Sequence, residues 1–253
     1  VLGILSIMIV LFVFLLRKQV KVKTADLQRE TYLNYYIADL SRKLLADVSI
    51  DNISKVVLDY LTDLTSSVNG LAGYVDKNNP GILTPYYFER SGEDVVFKKI
   101  TLKSDKIISI MFSVLEKKEP AFINDFLENP LINDLPQGHL EIRNFISSPA
   151  IIGGEAVGFI LLANSTRKYG NADINIIDNF SSQYALAIQR MWFEHELVES
   201  EKKYRDMFDN VADMLYIYDL NGNILDANKS FIKMFSYITG DIRRLNIIEV
   251  LSE

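Results

Sequence analysis

Histidine and cysteine, the side chains that most readily do chemistry at neutral pH, are scarce in this chain. There are two histidines, His139 and His195, and no cysteine. Two imidazoles alone cannot build a structural zinc site. Without thiols there is no disulfide, no thiolate metal site and no cysteine nucleophile. No nucleophile stands beside a base, and no phosphate-cradling glycine loop is present. What remains is binding chemistry. Asn164 directly follows an apolar run, where its amide can read a ligand as donor and acceptor or satisfy the turn across Ser165-Thr166. Arg143 either binds an anion or pairs with Glu141, Asp134 or the surface. Tyr86, Tyr87 and Phe88 either line a cavity or pack a core. His139 either donates to a ligand, axial haem binding included, or caps carbonyls in its own loop.

The elements that would position these residues follow from hydrophobic patterning. Phe145 to Ile152 and Ala156 to Ala163 are apolar runs around Gly153-Gly154. Such a pair predicts a hairpin, because a tight primed turn needs positive φ. Val157, Phe159 and Leu161 fall on one face, and Ala156, Ile160 and Leu162 on the other. A strand apolar on both faces belongs inside a covered sheet. Ile174, Ile177, Phe180, Tyr184, Ile188 and Met191 then recur at helical spacing. Upstream, Leu33, Ile37, Leu40 and Leu44 do the same, and a second helix starts at Asp51. Strands are expected at Gly70 to Val75, Leu83 to Glu89 and Val95 to Lys98, with an amphipathic helix from Asp105 to Leu115. This order predicts an α+β fold, an antiparallel sheet between helices.

At Ser148-Pro149, the GGE turn, VGFILLAN, Tyr169, Asp173 and the helix ending ALAIQR, the chain resembles the C-terminal half of a GAF domain. Glu119 to Asp125 (EPAFIND), Leu135-Pro136, Gly138-His139 and Ile142-Arg143 extend the likeness over residues 30 to 192. One departure is Gly170, where many relatives place Thr or Ser; Asp173 in the first turn partly compensates for the weaker cap. The resemblance implies a ligand cavity bordered by His139, Arg143, Asn164, Tyr86 and Phe122. It names no cofactor. The Asn-Lys, Phe and Asp-Glu signature of cyclic-nucleotide GAF domains has no counterpart here, so a small organic ligand is expected rather than a nucleotide. Glu201 to Phe208 (EKKYRDMF), the Asn221-Gly222 turn and Asn228 before a helix resemble the start of a PAS domain, matched to about Leu251.

Val1 to Leu16 is apolar apart from Gly3 and Ser6, against about 17 to 25 residues for a span. Arg17, Lys18, Lys21 and Lys23 follow. The expectation is a transmembrane helix over 1–18, truncated at its start because the chain opens without methionine, with the basic cluster on the cytoplasmic side. A signal peptide would carry its charge before the apolar run. Then come a juxtamembrane helix over 19–29, a GAF domain over 30–192, a helical linker over 193–203 and half a PAS domain over 204–253. The net charge of −6, with no long basic run beyond the N-terminus, gives no footprint for nucleic acid. His195-Glu196-Leu197 resembles the start of a histidine-kinase phosphoacceptor, but Val198-Glu199-Ser200 follows in place of its basic residue, Thr and Pro. The expected function is the membrane-anchored input region of a receptor, a sensor histidine kinase. It would bind a small ligand in the cell interior and pair as a parallel homodimer. A diguanylate cyclase input or an unliganded dimerisation scaffold is the alternative.

Overall fold

The computed structural model describes residues 2–45, 49–79, 82–92, 94–99, 113–125, 142–235 and 245–252. They divide into two units, Val1–Met191 and Trp192–Glu253. In the first, helix α1 runs without interruption over Leu2–Leu45. Helix α2, Ile50–Thr65, starts at Ser49, whose extended backbone turns its hydroxyl to accept from the Asn52 N–H at 3.4 Å. It stops at Ser66, in the left-handed region at φ 56°, whose N–H returns to the last turn. Ile53, Val57, Leu58 and Leu61 make its buried stripe.

Six antiparallel strands follow: β1 (Asn69–Val75), β2 (Leu83–Ser91), β3 (Asp94–Lys99), β4 (Ala121–Ile123), β5 (Phe145–Ile152) and β6 (Glu155–Ala163). Their order across the sheet is β3-β2-β1-β6-β5-β4. A helical stretch, α3, is described over 113–117, and helix α4 spans Asn171–Asn210. The predicted hairpin is present: Gly153 and Gly154 take φ of 59° and 85° between β5 and β6. As the apolar faces require, β6 is central, paired with β1 and β5.

One face of the sheet carries the helices. A Cβ on Gly70 would meet Leu58 of α2, and one on Gly158 would meet Ile188 of α4. Ile177, Phe180, Tyr184 and Ile188 are fully buried there, each worth about 1.5–3 kcal/mol of apolar burial. Leu40 of α1 is also fully buried, and Ser41 bonds Gln183 of α4 at 3.3 Å. Of the Leu33, Ile37, Leu40 and Leu44 repeat, Leu40 packs within the chain.

The expected membrane span is not found. Among the described residues no helix is long and apolar enough to cross a membrane. Arg17 and Lys18 interrupt the apolar run within α1. Phe12 to Leu16 are all exposed. The Asp105 to Leu115 helix lies outside the described residues except for its end.

In the second unit, β7 (Tyr216–Tyr218) pairs with β8 (Ile224–Ala227), followed by α5 (Lys229–Phe235) and α6 (Ile247–Ser252). Gly222, at φ 86°, closes the hairpin as predicted. Ile224, Ala227, Phe231, Ile247 and Val250 form a small core. Asn228 is fully buried and uses all four hydrogen-bonding positions of its amide. It donates to Val211 O (3.3 Å) and Asp213 O (2.9 Å) and accepts from the Leu215 and Phe231 N–H groups (3.0 Å each).

Candidate functional site

The sheet's second face, turned away from α2 and α4, carries apolar and polar side chains side by side. Strand pairing puts Asn69, Leu71, Gly73 and Val75 of β1 level with Leu83, Pro85, Tyr87 and Glu89 of β2 and with Phe159, Leu161 and Ala163 of β6, since directly paired residues share a face. One end is apolar: Phe159, Leu71, Val75 and Leu83 pack with Val114 and Leu115 of α3. The Phe159 ring lies on Gly73, where a Cβ would come within 2.8 Å of it.

The other end carries a directed chain of hydrogen bonds across three strands. The Arg143 N–H donates to Asn164 Oδ1 (3.0 Å), and Asn164 Nδ2 donates to Asn69 Oδ1 (3.0 Å). Asn69 Nδ2 donates to the Tyr87 hydroxyl (3.0 Å), which donates to Glu89 Oε2 (2.8 Å). Every donor points the same way, so the bonds polarise one another toward the carboxylate. Asn69 is 4% exposed. Burial, then the hydrogen bond to Glu89, pushes the Tyr87 hydroxyl up to about 12, so it stays a donor at neutral pH. The Lys98 ammonium lies 5.7 Å from the Tyr87 ring centroid.

A second polar cluster closes the sheet end behind Asn164, which takes a left-handed φ of 59°. Asn144 Oδ1 accepts from the Ser165 N–H at 2.8 Å. Ser165 Oγ donates to Thr65 O at 2.8 Å, and Thr65, Ser67 and Tyr169 continue hydroxyl to hydroxyl. Arg167 grips the buried Asp173 carboxylate with both Nη atoms, at 2.8 and 2.7 Å, which raises the guanidinium pKa further. Asp173 Oδ2 also accepts from the Gly170 N–H at 3.0 Å. This is the reach-back half of a capping box: it satisfies the N–H of the cap residue itself, while glycine offers no side chain for the other half.

The sequence-derived site residues separate. Asn164 belongs to the polar chain, and Arg143 joins it through its backbone N–H while its side chain is exposed. Tyr86 points to the opposite face: its hydroxyl donates to Asp51 of α2 at 2.5 Å, and burial raises its pKa strongly. Phe122, level with Ile146 of β5, shares that helix-side face. His139 lies outside the described residues. His195 is exposed on α4, 3.9 Å from Glu199. Sequence reasoning did not single out Asn69 and Glu89, and named Tyr87 only within the aromatic run Tyr86 to Phe88. Their signal was three polar groups at alternating positions on paired strands. Among the described residues no group of three or more metal-ligating side chains gathers.

Comparison with known proteins adds the following. The family model for the GAF domain matches residues 47–189, and that for the PAS domain matches 202–252. A methyl sulfide methyltransferase-associated sensor of Methanosarcina acetivorans is 29% identical over 101 residues, 39% of this chain and 10% of that protein. This match spans about a tenth of that relative's length. The GAF domain of a phosphoenolpyruvate-protein phosphotransferase from Coxiella burnetii is 14% identical, covering 66% of this chain and 98% of that one, with a TM-score of 0.49. A GAF domain/HD domain protein from Geobacter sulfurreducens is 19% identical, covering 57% and 94%, with a TM-score of 0.42.

Proposed function

We propose, for a chain that belongs to the GAF-domain family and carries a PAS-matching unit after it, that it is the sensory and relay region of a signal-transduction protein. The GAF unit takes a small organic ligand on the second face of its sheet. The carrying observation is the directed chain from Asn164 through Asn69 and Tyr87 to Glu89, set beside an apolar floor. Few, well-placed polar groups in an apolar surround are the usual make-up of a small-molecule site. Ligand binding shifts the receptor only by favouring one of two states. The candidate relay is α4, whose Ile188 packs on Gly158 of the sheet and whose sequence continues toward the PAS-matching residues.

The finer reading is a sensor histidine kinase anchored at the cell membrane, with a diguanylate cyclase or other effector as the alternative output. The apolar start of the chain, exposed at Phe12 to Leu16, and the basic cluster from Arg17 to Lys23 support the anchor. The similarity to a sensor supports the signalling role. A parallel homodimer is supported by exposed Leu186, Phe193, Leu197, Tyr204 and Met207 on α4, whose spacings of seven and three or four residues make one seam.

Thermal-shift screening of the full chain against cyclic nucleotides and a panel of small organic molecules tests the ligand reading. Stabilisation by an organic molecule, abolished by Leu71→Trp on the sheet floor, is expected. Tight cyclic-nucleotide binding would overturn the ligand class. A Leu197→Glu variant that stays dimeric by light scattering, or a monomeric wild type, would overturn the seam.

A further inference from the structure

The polar chain on the second face ends in a carboxylate with capacity to spare. An ionised carboxylate offers about four lone-pair positions. Among the described residues Glu89 receives one donor, the Tyr87 hydroxyl at 2.8 Å. The four bonds of the chain all run toward Glu89, so each presents its positive end toward the carboxylate, which is the charged terminus of the network. The rest of the site has the opposite character: Leu71 and Leu161, level with Tyr87, are half-buried side chains of the sheet floor, and Phe159 lies in the next row.

A hard metal ion does not fit this end. Such ions take six or more oxygen ligands, and Glu89 is a single carboxylate among amide and phenol groups. An anion would meet Glu89 directly. A group that donates several hydrogen bonds and carries positive charge fits, and the protein holds one over the neighbouring Tyr87 ring. The Lys98 ammonium stands 5.7 Å from the Tyr87 ring centroid, within the range of a cation over an aromatic face. Lys98 is exposed, on edge strand β3, so it can leave at little cost.

Resting on the reading of this face as the ligand surface, we infer that the ligand is a protonated amine with an apolar body. Its ammonium is received by Glu89 beside the Tyr87 ring, and its body lies over Leu71 and Leu161 toward Phe159. Lys98 occupies the cation position when the site is empty and competes with the ligand.

Calorimetric titration of the full chain with three matched probes, benzylamine, benzyl alcohol and benzoate, tests this. Benzylamine is expected to bind and the other two to bind at least about tenfold more weakly, the scale of a charge-assisted hydrogen bond. Glu89→Gln, which keeps the shape and the Tyr87 contact, should weaken benzylamine by about tenfold or more. Lys98→Ala, an exposed change that leaves the core alone, should strengthen it severalfold. Equal binding of benzyl alcohol, or no response to Glu89→Gln, overturns the amine class. If Leu71→Trp still blocks the bound probe, the ligand face itself survives that result. If no probe binds, or Leu71→Trp leaves binding unchanged, the ligand face falls together with the amine.

Discussion

Replacing Gly158 with alanine probes the contact on which a helical relay would depend. A Cβ at this position would stand 2.6 Å from the Gly73 carbonyl oxygen and 2.6 Å from Ile188 Cδ1. Carbon atoms pack best at about 3.5–4.0 Å, so each neighbour must retreat by roughly 1 Å. Ile188 can answer by changing its side-chain rotamer. Gly73 cannot, because its carbonyl belongs to β1, which is held in register with β6 from Asn69↔Ala163 to Tyr74↔Gly158. Overpacking of this kind costs about 1–3 kcal/mol, and the entropic gain of alanine over glycine in a strand returns about 0.5–1. The expected net loss is about 1 kcal/mol, or about 2–4 °C in Tm for a unit of this size. Urea unfolding followed by circular dichroism measures it. The double variant with Ile188→Val separates the two neighbours. Removing Cδ1 should restore about half of the loss, while the backbone contact keeps the rest. A Gly158→Ala protein within about 0.5 kcal/mol of wild type would refute the close approach. Complete rescue by Ile188→Val would show that the helix, not the sheet, carries the conflict.

Three further outcomes are expected. Arg167→Ala removes the guanidinium from the Asp173 carboxylate, which is 1% exposed, and should cost about 2–4 kcal/mol; Arg167→Lys should recover little, since lysine lacks the two-pronged fork. Asn228→Asp removes the two donors to Val211 and Asp213 and should destabilise the second unit by about 2–4 kcal/mol, read as loss of amide protection across the β7–β8 hairpin while the first unit is unchanged. Burial raises the Tyr169 hydroxyl to about 12 from an unfolded value of 10.0. The folded state therefore holds this proton more tightly: its contribution is fully present below pH 10 and is lost as pH rises toward 12. The loss is about 2–3 kcal/mol, and Tyr169→Phe should show a shallower alkaline fall in Tm than wild type.

Much of the fold was legible because local chemistry and global placement agree. The Gly153-Gly154 and Asn221-Gly222 turns sit where positive φ is required. The apolar repeat of α4 from Ile177 to Ile188 is the surface buried on the sheet. The site was less legible for a reason of parity. Tyr86, Tyr87 and Phe88 are three consecutive aromatics in β2, and a strand sends alternate side chains to opposite faces. With both faces apolar, nothing in the sequence fixes which of them look toward the helices, and a shift of one residue exchanges the sets. Tyr86 went to the helix side and Tyr87 to the polar chain. Asn164 was legible as a turn residue, yet its bond to Asn69 joins positions 95 apart in sequence, and only the β1–β6 register brings them together.

The two Asn-Gly pairs in this chain also decide how it ages. In such a pair the glycine nitrogen, with no side chain to shield it, attacks the asparagine amide and forms a succinimide, releasing ammonia. Hydrolysis then leaves aspartate or isoaspartate, the latter adding a carbon to the main chain. At Asn69-Gly70 the backbone is locked between β2 and β6 and the asparagine is buried, so the ring cannot close while the sheet is formed. At Asn221-Gly222 the asparagine is exposed, and what restrains the glycine nitrogen is one turn bond to the Asp219 carbonyl, at 3.0 Å. Deamidation at Asn221 therefore counts openings of the β7–β8 turn, while the same dipeptide at Asn69 records openings of the central sheet. Peptide mapping of a stored sample reads both local stabilities from one chain, without a label or a denaturant.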